Sequence, residues 1–154
     1  MPLFKLSRDR LLPAFEEPLI EVSLEDWCKN PQDHADATAL KISNDTSLAS
    51  IKCDLAGFST IILDFPAFKD GRAYSQARLL RERYGYAGEI RARGDVLRDQ
   101  LLFMARCGVD AFEIDSDDKA GLNAALKEFS FAYQPAADGA APVWRRRLAR
   151  AVAA

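Results

Sequence analysis

From Ser59 onward, apolar and polar positions fall into a regular alternation of short runs and helix-period stripes. Ile61, Ile62 and Leu63 form an apolar run bounded by Gly57 and Pro66. This is the pattern of a strand buried on both faces of a parallel sheet. The run ends in Asp64, and a short turn leads to Asp70-Gly71-Arg72, where a helix begins. Small or apolar residues then recur at Ala73, Ala77, Leu80 and Tyr84, with Gly85 just past the stripe, which predicts a helix over 72–84. Glu89 to Arg93 is the next strand. Asp95 is expected to cap a helix that turns Leu97, Leu101, Met104 and Cys107 inward and closes at Gly108. Ala111 to Ile114 predicts another strand, and Asp115-Ser116-Asp117-Asp118 opens a helix through Leu122, Leu126 and Phe129.

The first half is less regular. Pro2, Pro13 and Pro18 mark residues 1–18 as an irregular arm. Leu19 to Val22 and Ala39 to Ile42 predict two strands, and Ser23-Leu24-Glu25-Asp26 caps a short helix to about Lys29. Asn44-Asp45-Thr46 is expected to cap a helix through Leu48, Ile51 and Leu55, stopped by Gly57. At the other end, residues 134–143 read as a linker. Residues 144–154 read as a basic tail whose helix would align Trp144, Leu148 and Val152, either solvated or docked on a partner. Strand–helix alternation makes residues 1–133 one α/β domain. It predicts a mainly parallel sheet of about five strands with flanking helices: a three-layer doubly wound sheet, with an incomplete (β/α) barrel as the alternative.

Composition narrows the classes of function. The chain has 154 residues, 49% apolar and 29% charged, with a formal charge of −2. That gives no global argument for nucleic acid or an anionic membrane. Cys28, Cys53 and Cys107 show no C-x-x-C spacing, and His34 is the only histidine, so neither a metal site nor a His-based triad is expected. Arg8, Arg10, Glu16 and Glu17 interrupt the start, which predicts neither signal peptide nor membrane span and a cytoplasmic location. There is no G-x-G-x-x-G, G-x-x-x-x-G-K-[ST] or G-x-S-x-G, and no cofactor is evident.

Candidate chemistry gathers at the predicted strand ends, where α/β folds bind ligands. Asp64 caps a loop, pairs an arginine or acts as an acid or base, and Asp95 is the second acid or base candidate. In Glu89-Ile90-Arg91-Ala92-Arg93, Ile90 and Ala92 share one face while Arg91 and Arg93 share the other. A buried guanidinium needs an anionic partner. Two readings follow: an edge strand with one wet face, or an anion site. In the second, Arg72, Arg91 and Arg93 converge, Asp64 and Asp95 orient them, and Asp70, Gly71, Glu113 and Asp115 support the rim. Arg78, Arg81 and Arg83 read as a solvated helix face, and Tyr74 and Tyr84 as core packing or ligand stacking.

The block Asp64-Phe65-Pro66, Phe68, Asp70-Gly71-Arg72, Tyr74-Ser75, Ala77-Arg78 and Leu80-Arg81 resembles a known family. The resemblance continues through Tyr84-Gly85-Tyr86, Gly88-Glu89, Arg91-Ala92, Gly94-Asp95, Arg98-Asp99-Gln100 and Cys107-Gly108-Val109-Asp110-Ala111-Phe112. It covers roughly Ile61 to Tyr133 and is to the bacterial domain-of-unknown-function family 934. That family is encoded beside assimilatory sulfite reductase and carries an oxidoreductase label. The resemblance implies a place in sulfate assimilation, with sulfite reductase as partner. In that setting the basic rim of Arg72, Arg91 and Arg93 is expected to bind a small anion: sulfite, another anionic metabolite, or the carboxylates of the partner's sirohaem. The rival readings are a small enzyme acting on an anionic metabolite and a structural interaction module.

Overall fold

The computed structural model describes residues 1–15, 18–51 and 54–152. Cys53, Glu16 and Glu17 lie outside the described residues, as does the side chain of Val152. The expected irregular arm is in fact a β-hairpin. β1 (Leu3–Ser7) pairs antiparallel with β2 (Arg10–Ala14) across a tight turn in which Arg8 takes φ 58°. Alternation, not composition, drives it: Phe4 and Leu11 are buried and Leu6 packs against the core. Pro13 is tolerated because β2 is an edge strand, which does not need every N–H for a ladder. That edge is partly covered, since the Leu11 amide and carbonyl both bond the Asn123 side chain.

The remaining strands are β3 (Glu21–Ser23), β4 (Ala39–Ile42), β5 (Thr60–Phe65), β6 (Glu89–Gly94) and β7 (Ala111–Glu113). Neighbours from β3 to β7 pair parallel, and β1 pairs antiparallel with β7. The sheet is therefore mixed and seven-stranded, in the order β2-β1-β7-β6-β5-β4-β3. This corrects the expectation of a mainly parallel, five-stranded sheet: the proline-bearing N-terminus supplies two strands that composition concealed. Nor is the sheet doubly wound. From β3 to β7 each strand lies beside its predecessor without reversal, and right-handed crossovers then place successive helices on one face. The sheet is not closed; β2 and β3 are its edges.

The helices are α1 (Leu24–Lys29), α2 (Arg72–Glu82), α3 (Leu101–Arg106), α4 (Lys119–Ala125) and α5 (Val143–Val152). One core unites Leu40, Ile42, Ile61, Leu63, Ile90, Ala92 and Phe112 with Ala73, Ala77 and Leu80 of α2, Leu101 and Met104 of α3, and Leu122 of α4. Alanines on the inner face of α2 join the core formed by Ile61, Leu63 and Phe65 of β5. Two layers result, where three were expected.

Two predicted helices differ. In place of the helix expected over 44–57 there are 3₁₀ turns at Leu48–Ser50 and Leu55–Gly57, and Asn44, expected in the cap, donates to Asp70 at 2.6 Å. Asp95 does not cap α3. Its carboxylate accepts the Phe68 amide at 2.8 Å, and a 3₁₀ turn at Arg98–Gln100 precedes α3. Gly94 sets this bend with φ 114°, where a Cβ would collide with the Phe65 carbonyl.

An irregular arm would contribute little to stability, whereas the hairpin places Phe4 opposite Phe112. Phe4→Ala should cost about 3–5 kcal/mol, read as a lowered urea midpoint with an unchanged slope. A loss below about 1 kcal/mol would mean that the hairpin is not part of the cooperative unit.

Candidate functional site

The second face of the sheet carries the charges. Period-two alternation sends Glu21, Lys41, Ile62, Asp64, Glu89, Arg91, Arg93 and Glu113 to the side opposite the helices, and strand pairing aligns Ile62 with Arg91 and Asp64 with Arg93. Arg91 is only 2% exposed. Its Nε and Nη2 donate to Glu89 Oε1 at 2.9 and 2.7 Å, and its Nη1 lies 3.6 Å from Glu113 Oε1. Arg93 Nε donates to Glu113 Oε2 at 2.8 Å, and its two Nη atoms grip both oxygens of Glu21 at 2.7 and 2.8 Å. Lys5 completes the set at 2.7 Å from Glu89.

Arg93 and Glu21 belong to β6 and β3, with β5 and β4 between them. On a flat sheet their strands would lie about 14 Å apart. Their bidentate contact requires the sheet to curl toward this face and both side chains to lean across it. Ala39, Thr60 and Ala111, all buried, leave room beneath for the long arginine stems, which cover the face in place of a second helix layer.

The charges balance within the set: Lys5, Arg91 and Arg93 face Glu21, Glu89 and Glu113. The Arg93 guanidinium holds Glu21 below the usual carboxylate range, and Glu21 and then Glu113 raise Arg93 further. Asp64 shares the face but makes no hydrogen bond or ion pair among the described residues.

The other expected site residues lie apart. Arg72 donates to both oxygens of Asp70, at 2.9 Å through Nε and 2.6 Å through Nη2, on the loop before α2. That guanidinium pulls Asp70 down to about 2. Gly71 is the N-cap residue of α2 and gives it no side-chain hydrogen bond, Asp95 is used by the Phe68 amide, and Asp115 is exposed on the loop after β7. So the structure brings together Arg91, Arg93 and Glu113. It leaves Arg72, Asp70, Gly71, Asp95 and Asp115 outside the ion-pair set.

Arg81, expected on a solvated face, is a clamp. Its guanidinium donates to the carbonyls of Tyr86, Gly88 and Gly108 at 2.6, 2.8 and 3.0 Å and pairs Asp110 at 2.5 Å, fastening α2 to the entries of β6 and β7. Burial raises Asp110 despite that partner. Tyr74 packs edge-on against Phe65, and the Tyr84 hydroxyl donates to the Leu48 carbonyl, so both serve the framework. Burial also pushes the Cys107 thiol up, away from a reactive thiolate. No His, Cys, Asp and Glu cluster suited to a metal ion, and no helix long and apolar enough to cross a membrane, occurs among the described residues.

Glu89 as a partner of Arg91 was legible at spacing i, i+2 on one strand. Glu21 and Lys5 were not, because only strand order brings them near.

Residues 39–144 match the family described as "Bacterial protein of unknown function (DUF934)". No curated protein and no solved structure matches the chain.

Removing one member of a buried ion-pair set leaves its partner charged and dry. Arg91→Ala should therefore destabilise by about 3–5 kcal/mol, and pairing it with Glu89→Ala should cost less than the sum of the single losses. Urea melts of the cycle read this coupling. Glu21 adds a pH dependence of known sign. Its folded pKa lies below the unfolded one, so its contribution is complete above the unfolded pKa and is lost as pH falls through the folded pKa. In melts below about pH 5 the wild type should lose stability more steeply than Glu21→Gln. Parallel curves would remove Glu21 from the balance.

Proposed function

The chain thus belongs to the bacterial DUF934 family, and we propose that it serves assimilatory sulfite reduction in the cytoplasm as an accessory protein. In this reading it contacts sulfite reductase, takes a small oxyanion on its charged sheet face and uses no cofactor of its own. The pathway is supported by the resemblance of the 61–133 block to proteins encoded beside that reductase. One observation favours binding over catalysis: Glu21, Glu89 and Glu113 are all held in ion pairs with Lys5, Arg91 or Arg93. A general base must accept a proton, and a carboxylate stabilised by a guanidinium does so poorly.

Arg93 is the best-placed anion receptor. It is partly exposed, and Glu21 occupies its fork with two oxygens, as a bound oxyanion would. Sulfite would compete with Glu21 there, with Lys41 on the same face adding favourable charge. A second reading, a small enzyme for an anionic metabolite, is favoured by Asp64, which has no ion pair among the described residues and sits beside Arg93 in the strand register.

Two measurements test the proposal. Tagged protein from cells grown on sulfate should co-purify sulfite reductase. Calorimetric titration with sulfite should give weak binding to the wild type and at least about tenfold tighter binding to Glu21→Gln, a charged hydrogen bond being worth roughly 1.5–3 kcal/mol. Equal affinities would remove Arg93 as receptor. Turnover by the isolated protein, abolished in Asp64→Asn, would favour the enzyme.

A further inference from the structure

A second surface lies on the outer side of α3. Beyond α4 the chain returns over that helix. The Phe129 and Phe103 rings meet with centroids 6.3 Å apart. Arg106 donates to Asp138 at 3.2 Å and to the Gln134 carbonyl at 2.7 Å. The Val143 amide donates to the Ala132 carbonyl at 3.0 Å. These bonds tie residues 129–143 to the domain and fix where α5 starts.

The aromatic groups gathered by this tie nevertheless stay in water: Phe131 is 65% exposed, Tyr133 77% and Trp144 43%. Phe131 and Tyr133 border a groove of ≈320 Å³ whose walls include Phe103, Phe129 and Arg146. Contiguous exposed aromatic surface of this kind marks an interaction site.

The rim is cationic apart from Asp138, which is paired with Arg106. Arg146 lies over the Phe131 ring at 5.6 Å and Arg145 over the Trp144 ring at 5.2 Å. Arg147 lines the adjoining hollow together with Phe131 and Arg146. No acidic residue occurs from 139 to the end of the sequence, although the whole chain carries −2. A guanidinium stacked on a ring keeps its in-plane N–H donors free, and those forks suit carboxylates. The charge extends over one short helix. It matches a short acidic segment, while the net negative charge of the chain opposes a long polyanion.

We propose that this groove and α5 dock an acidic segment of a partner protein. An apolar side chain of that segment fills the groove, and its carboxylates meet Arg145, Arg146 and Arg147. The inference rests on the accessory reading above and names the surface and the partner chemistry of that contact.

The test uses the full chain and a fluorescein-labelled peptide, Glu-Glu-Leu-Glu-Glu-Phe-Glu, followed by anisotropy. The wild type should bind it at least tenfold more tightly than the same peptide with glutamine for glutamate. Arg146→Glu combined with Arg147→Glu should lose at least tenfold with an unchanged melting temperature, and Phe131→Ser should lose several-fold. Equal binding of the two peptides, indifference to charge reversal, or a preference for a labelled oligothymidylate would each overturn the assignment. Co-purification separates the two readings. If sulfite reductase is retained by the charge-reversed variant, the surface is wrong and the accessory role stands. If the acidic peptide binds as expected but the reductase never co-purifies, the surface stands and the proposed pathway falls.

Discussion

The structure depends on holding two arginines, Arg91 buried and Arg93 partly exposed, in the middle of a sheet. Arg91 and Arg93 project from β6 between neighbours on both sides, where an unpaired guanidinium would cost several kcal/mol. The solution is a closed ion-pair set drawn from four strands, with Glu21 reaching in from one edge and Lys5 from the hairpin. Each member is tolerable only because the others are present. This makes the second face of the sheet specific about its strand order: β3 and β1 must lie where they do for the charges to close.

Shape follows from the same set. Contact between Arg93 and Glu21 across two intervening strands curls the sheet toward its charged side. Small residues at Ala39, Thr60 and Ala111 make space for the stems. With this face covered by its own side chains, helices are needed only on the other. There the unreversed strand order and right-handed crossovers already place them. A one-sided helix layer and a salt-bridged sheet face are two aspects of one arrangement.

That arrangement also divides the molecule by task. The ion-pair set on the sheet is internally neutral, and Arg81 fastens α2 to the strand entries at Tyr86, Gly88 and Gly108. Among the described residues, Arg91 Nη1 and Glu113 Oε1 are buried without a hydrogen-bond partner and Asp64 has no ion-pair partner, while stacked arginines and aromatic rings lie around α5.

Much of this was readable from local pattern. The apolar run at Ile61–Leu63, the stripe of Ala73, Ala77 and Leu80, the alternation of Ile90 and Ala92 with Arg91 and Arg93, and the cap at Ser23 are short-range properties. Local sterics and periodicity decide them, and the structure keeps them. The family block is likewise a property of the chain as written. The N-terminal hairpin was not readable, because prolines argue against a strand except at a sheet edge, and edge position is a tertiary fact. The partners of the arginines divide in the same way. Glu89 was within reach on its own strand. Glu21 lies 72 positions from Arg93, and only strand order and sheet curvature bring the two together. Asp95 fitted a helix cap by sequence until the bend at Gly94 turned it to the Phe68 amide. Sequence alone determined most of the strands and helices that follow the hairpin, and that one strand face is cationic. The tertiary structure decided which carboxylates neutralise it, because charge pairing depends on distance in space and not along the chain.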